Sequence, residues 1–151
     1  MKIRHYIQSV RSPERGQWVT LPTSEAEIQA VIDKVCVDEN DSYKCTDFET
    51  DCLIPYENDD IFKQNRALKS LSKLATTEEV IALTEIYTLA DIYEILDIVR
   101  YNNYEFYPNK TFNDVIEELD LKYDTTSSEL VEMGYSQCST GIIKLKKIEE
   151  I

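Results

Sequence analysis

Apolar and polar side chains alternate loosely over residues 3–10, the period of a half-buried strand, and a polar loop with Pro13 separates them from a second extended run at 17–21. The two runs predict a hairpin. After Pro22 the period changes: Ile28, Val31, Ile32 and Val35 recur at three- and four-residue steps behind Ser24 and Glu27, which have capping-box spacing. A first helix is expected to run to Val35. Residues 38–42 are polar, 43–48 alternate again, and 52–55 suggest one more short extended piece.

The helical period then dominates. Asp59 or Asp60 is placed to cap a helix whose apolar positions Ile61, Phe62, Leu68, Leu71 and Leu74 fall on one side. Thr76 and Glu79 form a second capping-box pair ahead of Val80, Ile81, Leu83, Ile86 and Tyr87. Residues 89–99 read as a further helix through Ile92, Ile95, Leu96 and Val99, and 104–107 as a strand before Pro108. Thr111 and Asp114 open another helix carrying Val115, Ile116 and Leu119, followed by a helical turn from Ser128 and a strand at 141–145. The expected class is α+β: a small antiparallel sheet plus helices, drawn out as an elongated chain of two or three small subdomains. Residues 1–74 are expected to form an N-terminal α+β subdomain and 75–151 one or more acidic helical or α+β C-terminal subdomains. A chain of 151 residues, 42% of them hydrophobic, has enough apolar surface to bury a core.

Charge changes this picture most. The chain holds 29 acidic against 16 basic side chains, a formal net charge of −13. Such a field repels nucleic acid and the anionic cytoplasmic face of membranes, and it favours a cationic protein groove. The acids are also segregated. Residues 1–22 are net basic through Lys2, Arg4, Arg11 and Arg15, and the 61–73 stretch holds Lys63, Arg66, Lys69 and Lys73 with no acid. The surplus lies in 23–60 and 74–135. Exposed helices ordinarily interleave both signs, because oppositely charged pairs one turn apart add stability. Here Glu78, Glu79, Glu85, Asp91, Glu94 and Asp97 have no basic neighbour between residues 74 and 99.

Carboxylates one helical turn apart stand roughly 5 to 6 Å apart along the axis. Duplex DNA carries a charge about every 3.4 Å on each strand, so two or three acidic elements side by side approach its density. The candidate partner-binding, phosphate-mimicking residues are therefore Glu78, Glu79, Glu85, Asp91, Glu94, Asp97, Glu105, Asp114, Glu117, Glu118 and Asp120, with Asp47, Glu49 and Asp51 from the earlier acidic block. The expected partner is the basic groove of a DNA-binding protein. The basic stripe at Lys63, Arg66, Lys69 and Lys73 is expected to grip an acidic face of its own chain or of a second copy, which leaves a homodimer open.

Chemistry of other kinds finds little material. With glycine only at 16, 134 and 141, no phosphate-cradling loop is possible, and His5 is the one histidine available as a base. His5 is expected to have a structural or surface role. Cys36, Cys45, Cys52 and Cys138 are too widely spaced for a zinc site and, without an export signal, are expected to be reduced. Asp38, Asn40 and Asp41 resemble a calcium loop only in composition, since the glycine and terminal glutamate of that loop are missing. No cofactor and no metal are expected. The N-terminus has Lys2, Arg4 and His5 before any apolar run, and no apolar stretch nears the roughly 18 residues of a membrane span, so the expected compartment is the cytoplasm.

Trp18-Val-Thr-Leu-Pro22 followed by Ser24-Glu25-Ala-Glu27 resembles the opening of ArdA antirestriction proteins, in which a W-x-x-x-P strand end precedes an acidic helix. The stretch from Tyr43 through Asp47, Phe48 and Glu49 is similar to that family's E-x-x-x-x-D-Y-E segment. Residues 54–56 and Gln64-Asn65-Arg66-Ala67-Leu68 resemble its next loop and L-N-x-L helix. The order and spacing agree over the first half and more loosely to Leu121. The family's N-terminal A-N-L-x-x-Y-N-x-G and its C-terminal tyrosine- and aspartate-rich segment have no counterpart here. The resemblance implies a non-enzymatic inhibitor, encoded on mobile DNA, that occupies the DNA channel of type I restriction-modification enzymes with surface carboxylates in place of phosphates. Rival readings are a DNA mimic aimed at a CRISPR effector, a small hydrolase using a carboxylate pair, and an acidic adaptor.

Overall fold

The computed structural model describes residues 1–55, 60–122 and 124–146. Its twelve elements are β1 (Ile3–Ser9), β2 (Gly16–Leu21), α1 (Glu25–Val35), β3 (Tyr43–Thr50), α2 (Ile61–Leu74), α3 (Thr77–Ile86), α4 (Ile92–Tyr101), β4 (Tyr104–Pro108), α5 (Phe112–Glu118), α6 (Ser127–Glu132), β5 (Tyr135–Cys138) and β6 (Gly141–Leu145). They make an α+β fold with two antiparallel sheets of three strands, ordered β2-β1-β3 and β4-β6-β5.

The alternation in β1 is almost ideal: Ile3, His5, Ile7 and Ser9 are buried while Arg4, Tyr6 and Gln8 are not. β1 is the central strand, pairing Tyr6 with Trp18 on β2 and Arg4 with Glu49 on β3. A bulge between Tyr6 and Ile7 shifts the β3 register, which leaves both Thr46 and Asp47 facing outward and breaks the strand's alternation. His5 is fully buried, with Nε2 2.7 Å from Gln64 Oε1, and burial lowers its pKa. Its role is to tie the sheet to α2. Asn65 does the same for the turn before α1, accepting from Thr23 N–H and donating to Thr23 O, each at 2.8 Å.

The two sheets share one core. The main apolar cluster runs from Ile3, Ile7 and Leu21 through Leu68 and Leu71 of α2, Leu83 of α3 and Ile95 of α4 to Tyr104 and Ile143 of the second sheet. The 74/75 boundary falls between α2 and α3, and apolar packing crosses it. A smaller cluster of Val115, Leu130, Tyr135 and Ile142 seats α5 and α6 on the second sheet.

Several sequence expectations are corrected in detail. Residues 52–55 are irregular rather than a strand: Ile54 N–H turns back to Cys52 O, and Leu53 N–H is directed to Thr84 Oγ1. The helix expected from residue 89 starts at Ile92, because Leu89 is left-handed and Asp91 is the cap. β5 was not foreseen. Leu74 is 54% exposed rather than on the buried side, since it ends α2 at the flank of the apolar stripe. Asp60 caps α2, accepting from Phe62 N–H, while Asp59 and Tyr56 lie outside the described residues.

Candidate functional site

The capping boxes decide which acids are committed to the fold. Among the described residues only Thr111 and Asp114 close a reciprocal box, and backbone hydrogen bonding from Thr111 holds the Asp114 carboxyl below its ordinary range. At the other two expected boxes the cap hydroxyl accepts the third N–H, but the glutamate turns elsewhere: Glu27 takes the Thr23 hydroxyl, and Glu79 takes the buried phenol of Tyr104. Burial and that bond raise the Tyr104 pKa. Asp91 caps α4 through Glu94 N–H at 2.8 Å. Glu85 accepts from Ser139 N–H at 2.8 Å and from the Ser139 hydroxyl, pinning α3 to the β5–β6 turn.

Four of the fourteen candidates, Glu79, Glu85, Asp91 and Asp114, are thus half-buried acceptors within the fold. Others are exposed but engaged. Glu49 pairs with Arg4 at 2.7 Å, Glu118 pairs with Lys110 at 2.5 Å, and Asp51 accepts from Lys2 N–H. Asp47 accepts from Phe48 N–H, and Glu105 accepts from the Tyr107 phenol, which raises the pKa of Tyr107 to about 12.

Glu78, Glu94, Asp97, Glu117 and Asp120 are exposed, and their carboxylates meet no ion pair or hydrogen-bond donor among the described residues. On α4 the geometry is clear. Ile92, Ile95, Leu96 and Val99 are buried, so Glu94, Asp97 and Tyr101, at steps of three and four, line the opposite side. Tyr101 is 78% exposed. Sequence reading missed it; the available signal was an aromatic residue falling off the apolar period.

The basic stripe on α2 is divided. Arg66 reaches Glu25 of α1 at 3.2 Å, and Lys63 lies over the Tyr93 ring of α4 at 4.5 Å from its centre. Lys69 and Lys73 are exposed. The acidic loop considered for calcium is internally used: Arg11 binds both oxygens of Asp38 at 2.7 Å, and Asp41 accepts from Val37, Ser42 and Arg11 N–H and from the Ser9 hydroxyl. Among the described residues no group of three or more His, Cys, Asp or Glu side chains is arranged to hold a metal ion, and no helix is long and apolar enough to cross a membrane. Among the described residues Cys36, Cys45, Cys52 and Cys138 are not joined in disulfides, and burial raises the pKa of Cys45 and Cys138 to about 11 and of Cys52 to about 12.

No protein-family model matches the chain, and no curated protein matches it in sequence.

Proposed function

We propose that this chain is a non-enzymatic DNA mimic of the ArdA kind, which inhibits type I restriction-modification enzymes by occupying their DNA-binding channel. The observation supporting this reading is the outward side of α4, where Glu94 and Asp97 stand one turn apart, exposed and without an ion pair among the described residues. Glu78, Glu117 and Asp120 add carboxylates in the same condition. A channel lined with Lys and Arg gains by replacing its bound anions with such a surface, and the gain falls as salt rises. The net charge of −13 speeds encounter with a cationic groove and disfavours nucleic acid and anionic membranes.

The test is inhibition of a purified type I restriction-modification enzyme, with non-specific DNA and sodium chloride as competitors. DNA mimicry requires that both relieve the inhibition. Inhibition unaffected by excess DNA would place the binding site outside the DNA channel, and absence of inhibition at micromolar protein would overturn the reading.

A further inference from the structure

Four non-glycine residues among those described have a left-handed backbone: Leu89 at φ 69°, Asn102 at 53°, Asn109 at 58° and Asp120 at 51°. Three of them are Asn or Asp, the types whose short polar side chains tolerate this conformation. The fourth is leucine, and its side chain is 83% exposed. In that position leucine carries the steric cost of a left-handed Cβ and recovers little apolar burial. Asparagine or glycine would serve the α3–α4 turn better.

Leu89 does not stand alone. With Leu53, 66% exposed, and with Ile54, Pro55 and Thr88, it lines an open groove of about 290 Å³. The backbone beneath is held: Leu53 N–H points to Thr84 Oγ1 at 3.4 Å, and Ala90 N–H to Tyr87 O at 3.2 Å. Among the described residues the groove lining contains no charged side chain, while Asp51 and Asp91 each stand two residues along the chain from one of the leucines.

We propose that Leu53 and Leu89 form an apolar anchor that seats against a non-polar side chain inside a cationic protein groove, a proposal that rests on the DNA-channel reading above. The acidic surroundings select the occupant. An anionic membrane leaflet is repelled by this field. A second copy would bring the Asp51 and Asp91 carboxylates of both chains together. A basic groove with an apolar residue among its Lys and Arg satisfies both parts of the surface. The anchor supplies affinity that salt does not screen, on a molecule whose free carboxylates, Glu94 and Asp97 among them, contribute affinity that salt does screen.

The experiment measures binding to a purified type I restriction-modification enzyme at low and high salt for the wild type, Leu89→Asn, Leu89→Gly and Leu53→Asn, together with each protein's urea midpoint. The expected result is a loss of about tenfold or more in affinity for each variant, with the dependence on salt unchanged. The urea midpoints of both Leu89 variants should equal or exceed that of the wild type. Affinities within twofold of wild type overturn the anchor, and so does a lowered midpoint for both Leu89 variants, which would assign the leucine to folding. A wild type that does not bind removes the DNA-channel reading and the anchor with it.

Discussion

The phenol of Tyr104 donates to the carboxylate of Glu79, joining β4 to the first turn of α3. Tyr104 is 4% exposed, so this acid belongs to the joint between the second sheet and the helices rather than to the free surface. Tyr104→Phe should lower stability by about 1 kcal/mol, the usual net value of such a bond, when measured by urea denaturation. Binding to a cationic groove should be unchanged. A variant with wild-type stability would show that the bond contributes nothing net.

Because Ile143 of β6 packs in the same cluster as Ile3, Ile7 and Leu21, damage to one sheet should be felt in the other. Ile143→Ala should cost about 2 to 5 kcal/mol. Trp18, on β2 with Arg4 over its ring, gives a fluorescence probe of the first sheet. Its transition in Ile143→Ala should shift together with the loss of helical circular dichroism. A Trp18 transition left at its wild-type midpoint would mean that the two sheets unfold separately.

Charge reversal separates free carboxylates from committed ones. Glu94→Lys with Asp97→Lys should weaken binding to a type I restriction-modification enzyme by at least an order of magnitude and flatten its salt dependence, because two anions become two cations. Glu94→Gln or Asp97→Asn alone should change affinity only a fewfold, exposed charges being individually weak. Glu85→Gln keeps an acceptor for Ser139 and should leave binding nearly as it was. Equal losses from Glu85→Gln and the double reversal would break the distinction drawn here.

Asp41 links stability to pH. The Ser9 hydroxyl and three backbone N–H groups lower its pKa from 3.8 to about 2. A depressed folded-state value means that the contribution is present above the unfolded value and disappears as pH falls through the folded one. Between pH 3.8 and about 2, the acid limb of wild-type stability should therefore be steeper than that of Asp41→Asn. Thermal melts across that range check it; identical limbs would exclude Asp41 as a contributor.

The elements visible in the sequence are those whose period is long enough to register. The stripe Ile92, Ile95, Leu96 and Val99 specifies α4, and residues 3–9 specify β1, because burial on one side imposes the period. β5 is four residues with Ser136 and Gln137 between buried ends, and it becomes a strand through pairing with β6. The commitment of acids was illegible for a related reason. Glu79 finds its donor 25 residues away and Glu85 finds its own 54 away, so neighbouring residues carry no sign of either bond. Leu89 fits the helical period and yet lies outside the helix, since a left-handed turn residue leaves no mark in hydropathy.

β3 forms an outer edge of the first sheet, and among the described residues its far side is not paired with another strand. An eight-residue edge of this kind is a template on which a foreign strand can grow. Asp47 and Glu49 stand along it, with Asp51 just past its end. Whatever else these carboxylates meet, they keep like chains from stacking edge to edge while they are ionised. The same acidic side chains that the DNA-channel reading offers to a cationic partner thus also guard the protein against copies of itself.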